Sequence, residues 1–498
     1  MFWHFAARTA CAALSLPAAL FALRFFQQTG YNVARGYLRI ALSRCFICAV
    51  VCCALIIPVG ILWGRYSDAL LAGCCAASAI TALTVRVKVP LRFTRRATRL
   101  FVLTCVAMLA AFLFLPCYVL PPLPFFAVPL CSLLLLPVEK AVNMKYIKRA
   151  ERKLSQAAYL KIAVTGSFGK TSVKNILTEM LSTKYKAYCT PKSFNTPLGI
   201  ASYVNNDLPC DAQAVVFEMG AKKRGDIDFL CKMVRPRYGI LTGIEKQHMS
   251  TFGSVDNVVS AKGELLKHIP RDGLCVLNSD NVYTRRLDCS VCPTKTAGTT
   301  GDVVVSDVKV STAGTSFTLK LGEKEKRVTT RLLGAFNAAN IALAAALALE
   351  LDISAEDIFD TAENLKPVPH RLELLEGANG SAIIDDSYNA NISGVRGALE
   401  VLSCFSGKRY VVTQGIVELG REQFEVNFGL GKELAKVCDA IVTLGQNCKA
   451  LSQGARAANA SAEVLFVDTV EEAVSVLAPG LGAGDVILFQ NDLPDSMI

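Results

Sequence analysis

The sequence predicts a multi-span transmembrane helical segment followed by an α/β part, made of a phosphate-loop domain and a C-terminal Rossmann-like domain. Three observations predict it. The chain of 498 residues is 52% hydrophobic and only 19% charged, a composition too apolar for an ordinary soluble protein. Its net charge of +11 is confined to one end: residues 1–138 hold 12 basic residues and a single acid, Asp68, whereas the other 41 basic and 41 acidic residues cancel. From residue 157 onward short β-type runs alternate with helical patterns, the order that builds parallel sheets. A basic nucleic-acid-binding globule is thereby excluded, because no basic excess exists outside the apolar third.

Within residues 1–138 apolar runs fall near 9–23, 41–63, 67–85, 100–119 and 123–138, several close to the roughly 20 residues a spanning helix needs. The fifth is short and proline-broken, so it reads either as a span or as a hairpin with its neighbour across Pro121-Pro122. Recurrence of such runs over more than a hundred residues does not fit a cleavable signal peptide. Arg24, Arg35 and Arg39 follow the first run, Arg86 to Arg99 the third, and Lys145 to Lys153 the fifth. Because Lys and Arg favour the cytoplasmic side, this alternation predicts about five spans, with everything after residue 139 in the cytoplasm. Residues 139–156 read as a basic juxtamembrane linker. Ten of the 19 cysteines lie in apolar runs, where Cys acts as a small apolar residue. Cys289-x-x-Cys292 lacks the second pair of a zinc site and reads as an ordinary loop or strand.

The first unit of the α/β part carries the most chemistry. Leu160 to Val164 reads as a buried strand, Thr165-Gly166-Ser167-Phe168-Gly169-Lys170-Thr171-Ser172 as a glycine turn, and Val173, Ile176, Leu177, Met180 and Leu181 as the inner face of a helix. Strand, glycine turn and helix N-terminus cradle phosphates with backbone N–H groups. In that setting Lys170 reaches the β- and γ-phosphates and Thr171 holds Mg²⁺. The loop is the short Gly-x-x-Gly-Lys-Thr form, since Val164 stands where the longer loop has its first glycine. Later strands end in Glu218-Met219-Gly220-Ala221, in Thr242-Gly243-Ile244 before His248, and in Asn278-Ser279-Asp280. Open α/β sheets place ligands at such carboxyl ends.

These stretches, with Ser193-Phe194-Asn195-Thr196, Ala261-Lys262-Gly263-Glu264, Gly334-Ala335-Phe336-Asn337-Ala338-Ala339-Asn340, Pro369-His370-Arg371-Leu372 and Asp386-Ser387-Tyr388-Asn389-Ala390-Asn391, give the chain its resemblance to the Mur ligase family. These are ATP-dependent amide ligases of bacterial cell-wall peptide synthesis, and the pattern is most similar to the member that adds D-alanyl-D-alanine. The resemblance implies a central ATP-binding domain over 157–368 and a C-terminal domain over 369–498. It implies that Gly166, Ser167, Gly169, Lys170, Thr171 and Ser172 cradle ATP, and that Thr171, Glu218, His248 and Lys262 serve Mg²⁺, Lys262 as a carbamate. It also implies Asn337 or Asn340 at the adenine, Arg371 at the γ-phosphate and Asp386 at the ribose or a nearby loop. Lys170, Lys262, His248 and Arg371 are the catalytic candidates. The implied reaction is phosphorylation of an acceptor carboxylate to an acyl phosphate, attack by an amine, and collapse to amide and phosphate, with catalysis resting on positioning and electrostatics.

The pattern breaks in places. Phe336 replaces a usual histidine, Gln414-Gly415 precedes Glu418-Leu419-Gly420 where Gly-Asp is expected, and the C-terminus lacks the usual glycine- and arginine-rich close. The membrane segment occupies the place of the family's uridine-diphosphate-binding domain. The partners implied are a muramoyl-peptide acceptor, nucleotide- or lipid-linked, an amino acid or D-alanyl-D-alanine donor, and the bacterial cell membrane, with no nucleic acid. A polyglutamate-type polymer synthase and a non-catalytic nucleotide-binding scaffold are the alternatives. No Ser-His-Asp or Cys-His set supports a hydrolase.

Overall fold

A computed structural model describes residues 2–32, 46–47, 50–51, 67–84, 90–115, 120, 122–245, 249–388, 391–417, 419–458 and 461–490. The chain divides into two compact units, Met1–Lys145 and Tyr146–Leu493.

In the first unit α1 (Phe2–Leu14) and α2 (Leu16–Gln28) meet at Ser15, with Pro17 at the start of α2. They are followed by α3 (Ser67–Thr84), α4 (Arg95–Phe114) and α5 (Leu123–Gln156). Thr94 caps α4 by accepting from the Ala97 N–H. Phe21, Leu23, Phe26, Leu100 and Phe125 form the core, while Val106, Phe114 and Leu134 turn more than half their surface outward. Apolar outer surfaces of this extent are uncommon on soluble monomers. Among the described residues three helices, Arg8–Gln28, Arg95–Phe114 and Leu123–Gln156, are long and apolar enough to cross a membrane. Most of the run expected at 41–63 lies outside the described residues. The run at 123–138 and the basic segment at 139–156 lie in one 34-residue helix that carries Pro129 and Pro137 inside it. The buried acid Glu139 faces Arg99 in a two-pronged pair at 2.7 and 2.8 Å.

The second unit holds two sheets. The larger contains β1 (Leu160–Thr165), β2 (Ala187–Cys189), β3 (Ala214–Glu218), β4 (Tyr238–Leu241), β5 (Leu274–Asn278), β6 (Thr294–Gly298), β7 (Val303–Ser311), β8 (Gly314–Leu321) and β9 (Lys324–Thr330), in the order β2-β3-β1-β4-β5-β6-β7-β8-β9. Strands β2 to β6 are parallel, and β7 to β9 fold back as antiparallel hairpins. Helix α6 (Lys170–Ser182) follows β1, α7 (Pro197–Ser202) precedes β3, α8 (Asp226–Val234) follows it, and α9 (Met249–Phe252) and α10 (Val255–Gly263) lie between β4 and β5. Helix α11 (Phe336–Glu350), alanine- and leucine-rich on every side, is buried through most of its length, and α12 (Ala355–Asn364) follows it. Ile162, Val164, Val173, Ile176, Leu177 and Ile341 share one core, which fixes the N-terminus of α6 directly beyond β1.

The smaller sheet runs β10 (Glu373–Glu376), β11 (Ala382–Asp386), β15 (Val486–Gln490), β12 (Arg409–Thr413), β13 (Ala440–Thr443) and β14 (Glu463–Phe466). Only β10 is antiparallel. Its helices are α13 (Ile392–Leu402), α14 (Gln423–Val437), α15 (Cys448–Ala457) and α16 (Val470–Leu477). The last strand, β15, inserts between β11 and β12, which opens a crevice at their carboxyl ends. The hydrophobic pattern predicts strands at 381–385, 409–413, 440–444, 463–467 and 485–489 and helices at 393–403, 422–437 and 469–477, and each is present within a residue or two. Strand β10, helix α15 and the β7–β9 ribbon were not anticipated.

Candidate active site

Glycine geometry makes the loop between β1 and α6. Gly169 adopts φ +73° as the N-cap of α6, and a Cβ there would lie 2.7 Å from Asn340 Oδ1. No side chain caps this helix end, so the first N–H groups of Lys170, Thr171 and Ser172 have no intrahelical acceptor. Such an N-terminus attracts anions. The loop is pinned from outside by Ser167 N–H donating to Gly243 O at 2.7 Å and Thr242 Oγ1 donating to Phe168 O. The 242–245 segment is itself held by Asn278 Nδ2 to Thr242 O at 2.7 Å and by Asn281, which exchanges bonds with Ile244.

Glu218, at the end of β3, faces this helix. Its Oε2 accepts from Thr171 Oγ1 at 2.9 Å and lies 3.3 Å from Lys174 Nζ, while Oε1 accepts from Asn195 Nδ2 at 2.9 Å. Burial pushes the carboxyl upward. Lys174, Lys170, Asn195 and Thr171 together outweigh this and hold it below the usual carboxylate range. A charged carboxylate beside a hydroxyl at a helix N-terminus is a hard oxygen donor set, and it fits Mg²⁺. The Lys170 ammonium donates to Ser167 O at 3.1 Å. Desolvation lowers its pKa to about 8, with Arg371 lowering it further and Glu218 opposing.

Lys262 is buried, at 3% exposure, on α10. Desolvation, then repulsion from Lys170, push its amine well below the ordinary lysine range, against the pull of Asp226, Glu218 and Glu264. Nearby, Glu264 caps α8 by accepting from Gly225 N and Asp228 N, which fixes the wall around Lys262. His248 lies outside the described residues. Among those described, no three His, Cys, Asp or Glu side chains form a metal cluster.

The remaining candidates arrive from α11 and the smaller sheet. Asn337 and Asn340 are buried; Asn337 Nδ2 donates to Leu333 O at 2.8 Å and Asn340 Nδ2 to Asn337 Oδ1 at 3.1 Å. Arg371 stacks on Tyr388, its guanidinium 4.3 Å from the ring centre, and acts electrostatically on both Lys170 and Asp386. Asp386, at the end of β11, is 9% exposed, and desolvation raises its pKa to about 7 against the pull of Arg371. Phe336 packs its ring over Gly397 of α13, where a Cβ would come within 2.7 Å, and joins the core of the smaller sheet. The aromatic substitution at that motif position therefore serves domain packing.

The structure thus brings the phosphate loop, Glu218 and Lys262 together on one sheet edge, with Arg371 and Asp386 reaching it from the other sheet. Lys174, Asn195, Asn278, Glu245 and Tyr388 were not assigned roles from sequence. Asn195, Asn278 and Tyr388 stand within the motifs that carry the resemblance, which is the signal the sequence offers; for Lys174 and Glu245 no local pattern announces the contact.

Known proteins extend this geometry. The Mur ligase middle domain matches residues 164–348, and the Mur ligase glutamate ligase domain matches residues 370–490. The UDP-N-acetylmuramoyl-tripeptide–D-alanyl-D-alanine ligase of Escherichia coli is 31% identical over 58% of this chain and 66% of its own length. The Bacillus subtilis enzyme of the same name is 30% identical over 66% of this chain and 72% of its own length. Among solved structures, MurF from Acinetobacter baumannii superposes with a TM-score of 0.65 at 28% identity, covering 70% of this chain and 77% of its own. MurF from Thermotoga maritima in complex with ADP gives 0.62 at 27% identity, covering 70% and 80%.

Proposed function

Because the chain belongs to the Mur ligase family, we propose that it is an ATP-dependent amide ligase joining D-alanyl-D-alanine to a muramoyl tripeptide in peptidoglycan precursor synthesis. The observation that carries this reading is the convergence of Lys170, Thr171 and Glu218 on the uncapped start of α6, with Arg371 and Asp386 facing them from the second sheet. Lys170 and the loop N–H groups hold the triphosphate, and Arg371 offsets charge on the transferred group. Asn337 and Asn340 carry the adenine side, and Asp386 the ribose. Thr171 and Glu218, with His248 and a carbamylated Lys262, are the residues that would hold Mg²⁺, and the ion would supply neutralisation of phosphate charge. The depressed amine of Lys262 favours that modification, which requires a neutral nitrogen.

The acceptor carboxylate attacks the γ-phosphorus, ADP leaves, and the amine of the donor attacks the acyl phosphate carbon to give amide and phosphate. Enclosure between two sheets keeps water from the acyl phosphate. The apolar helices of the first unit support a membrane-attached enzyme and favour a lipid-linked acceptor over a nucleotide-linked one. The test is phosphate release by detergent-purified protein across acceptors of both kinds, crossed with amine donors. Turnover with the lipid-linked acceptor supports the membrane reading, and turnover with the nucleotide-linked acceptor alone overturns it.

A further inference from the structure

Glu245 links the phosphate loop to the smaller sheet. Its main chain is bonded to the loop serine in both directions: Ser167 Oγ donates to Glu245 O at 3.2 Å and accepts from Glu245 N at 3.0 Å. Its side chain crosses to α13, where Oε1 accepts from Ser393 N at 3.2 Å and from Ser393 Oγ at 2.9 Å. Ser393 is the second residue of α13, so the carboxylate meets the positive end of that helix dipole. The helix's own cap, Asn391, serves Gly394 N at 2.8 Å and leaves the Ser393 N–H to Glu245.

Among the contacts that hold helix α13 from the larger sheet's side are an apolar one and a polar one. The first is the Phe336 ring over Gly397. The second is the Glu245 carboxylate, and it is tied to the loop that cradles phosphate. Arg396 adds attraction to Glu245 while its guanidinium grips Glu433 at 2.7 Å.

We propose that Glu245 is a positioning residue, the latch that holds α13 against the occupied phosphate loop and so keeps water from the acyl phosphate until the amine arrives. This rests on the ligase reading. An acyl phosphate has two fates. Amine attack at its carbonyl carbon breaks the carbon–oxygen bond to phosphate and forms the amide. Water attack at the same carbon breaks the same bond, returns the carboxylate and releases phosphate, with a proton passing to solvent. Loss of the latch shifts the balance toward the second fate.

The experiment compares full-length Ser393→Ala, Ser393→Thr and Glu245→Gln with the unaltered protein, counting phosphate released per amide formed, with nucleotide- and lipid-linked acceptors and D-alanyl-D-alanine. The unaltered protein gives a ratio near one. Ser393→Ala, which removes the hydroxyl donor, and Glu245→Gln, which keeps the acceptor oxygen but removes its charge, each raise it by at least about threefold, as expected for losing a charge-assisted hydrogen bond or its charge, with the KM for ATP little changed. Ser393→Thr, which keeps the hydroxyl, restores the ratio. A ratio that stays at one in Ser393→Ala and Glu245→Gln overturns the latch, whatever their melting temperatures, because a merely structural contact lowers the amount of folded enzyme without altering coupling. If the unaltered protein forms no amide with either acceptor, the ligase reading fails, and the latch with it.

Discussion

Lys174 Nζ lies 3.3 Å from Glu218 Oε2, with only 1% and 2% of the two side chains exposed. The same ammonium donates to Thr190 O and Lys192 O, both at 2.8 Å. It therefore braces the carboxylate of β3 and the strand-end loop after β2 at once. Removing one partner of such a pair leaves a buried uncompensated charge. Lys174→Met is expected to cost about 3–5 kcal/mol, read as a lowered unfolding midpoint, and the double variant Lys174→Met/Glu218→Gln is expected to recover part of it. A single variant as stable as the parent would refute this bracing role.

Gly169 and Gly225 both have φ in the left-handed region, +73° and +87°. Either, changed to alanine, carries a strain of about 1–2 kcal/mol. Only at Gly169 does the new methyl meet a neighbour, Asn340 Oδ1 at 2.7 Å; at Gly225 nothing lies within 4 Å. Gly169→Ala is therefore expected to weaken ATP binding by tenfold or more, about 1.4 kcal/mol, while Gly225→Ala leaves it nearly unchanged. Calorimetric titration of both variants with ATP checks this, and equal losses would contradict it.

Lys170 titrates at about 8 because desolvation disfavours its charged form. Below that pH the ammonium is present to meet phosphate; above it the amine is neutral and offers phosphate no positive charge. ATP affinity should fall as pH rises from 7 to 9, with proton uptake on binding in that window, and Lys170→Met should flatten the profile. Binding measured across that range in buffers of different ionisation enthalpy decides the matter.

Burial shifts Asp386 in the opposite direction, upward. Its folded pKa of about 7 lies above the unfolded value of about 3.9, so the folded state keeps a proton that the unfolded state has lost. Stability therefore declines as pH rises from about 4 to about 7, then levels. Asp386→Asn removes that slope, and the difference in melting temperature between variant and parent should shift toward the variant over this interval. A difference that is constant with pH would show that the carboxyl is not held neutral.

Much of this was legible because it is local. Gly166 to Ser172 lie between a β-run and a 3.6-period helix, and that arrangement alone announces an anion cradle. The carboxyl-end residues Glu218 and Asp386 were legible through motif resemblance, since strand ends carry no periodic signal. Lys174 was hidden because a lysine on a helix normally points to solvent, and its partners Thr190, Lys192 and Glu218 are 16 to 44 positions away. Glu245 was hidden for the same reason, since Ser393 is 148 residues distant. Phe336 registered as a departure from pattern; its contact with Gly397 shows why an aromatic apolar residue suits that position. The β7–β9 ribbon escaped because its strands alternate in burial, unlike β3 and β5, which are buried throughout.

The joining of D-alanyl-D-alanine to a muramoyl peptide is tested most directly by mass spectrometry of the reaction mixture formed by full-length protein, Mg²⁺, acceptor and dipeptide, with ATP or with ADP. The expected result is an amide product whose mass is that of acceptor plus dipeptide less one water, formed with ATP, absent with ADP, and absent from Lys170→Met. An unchanged acceptor in the presence of ATP, or product that persists in Lys170→Met, would contradict it.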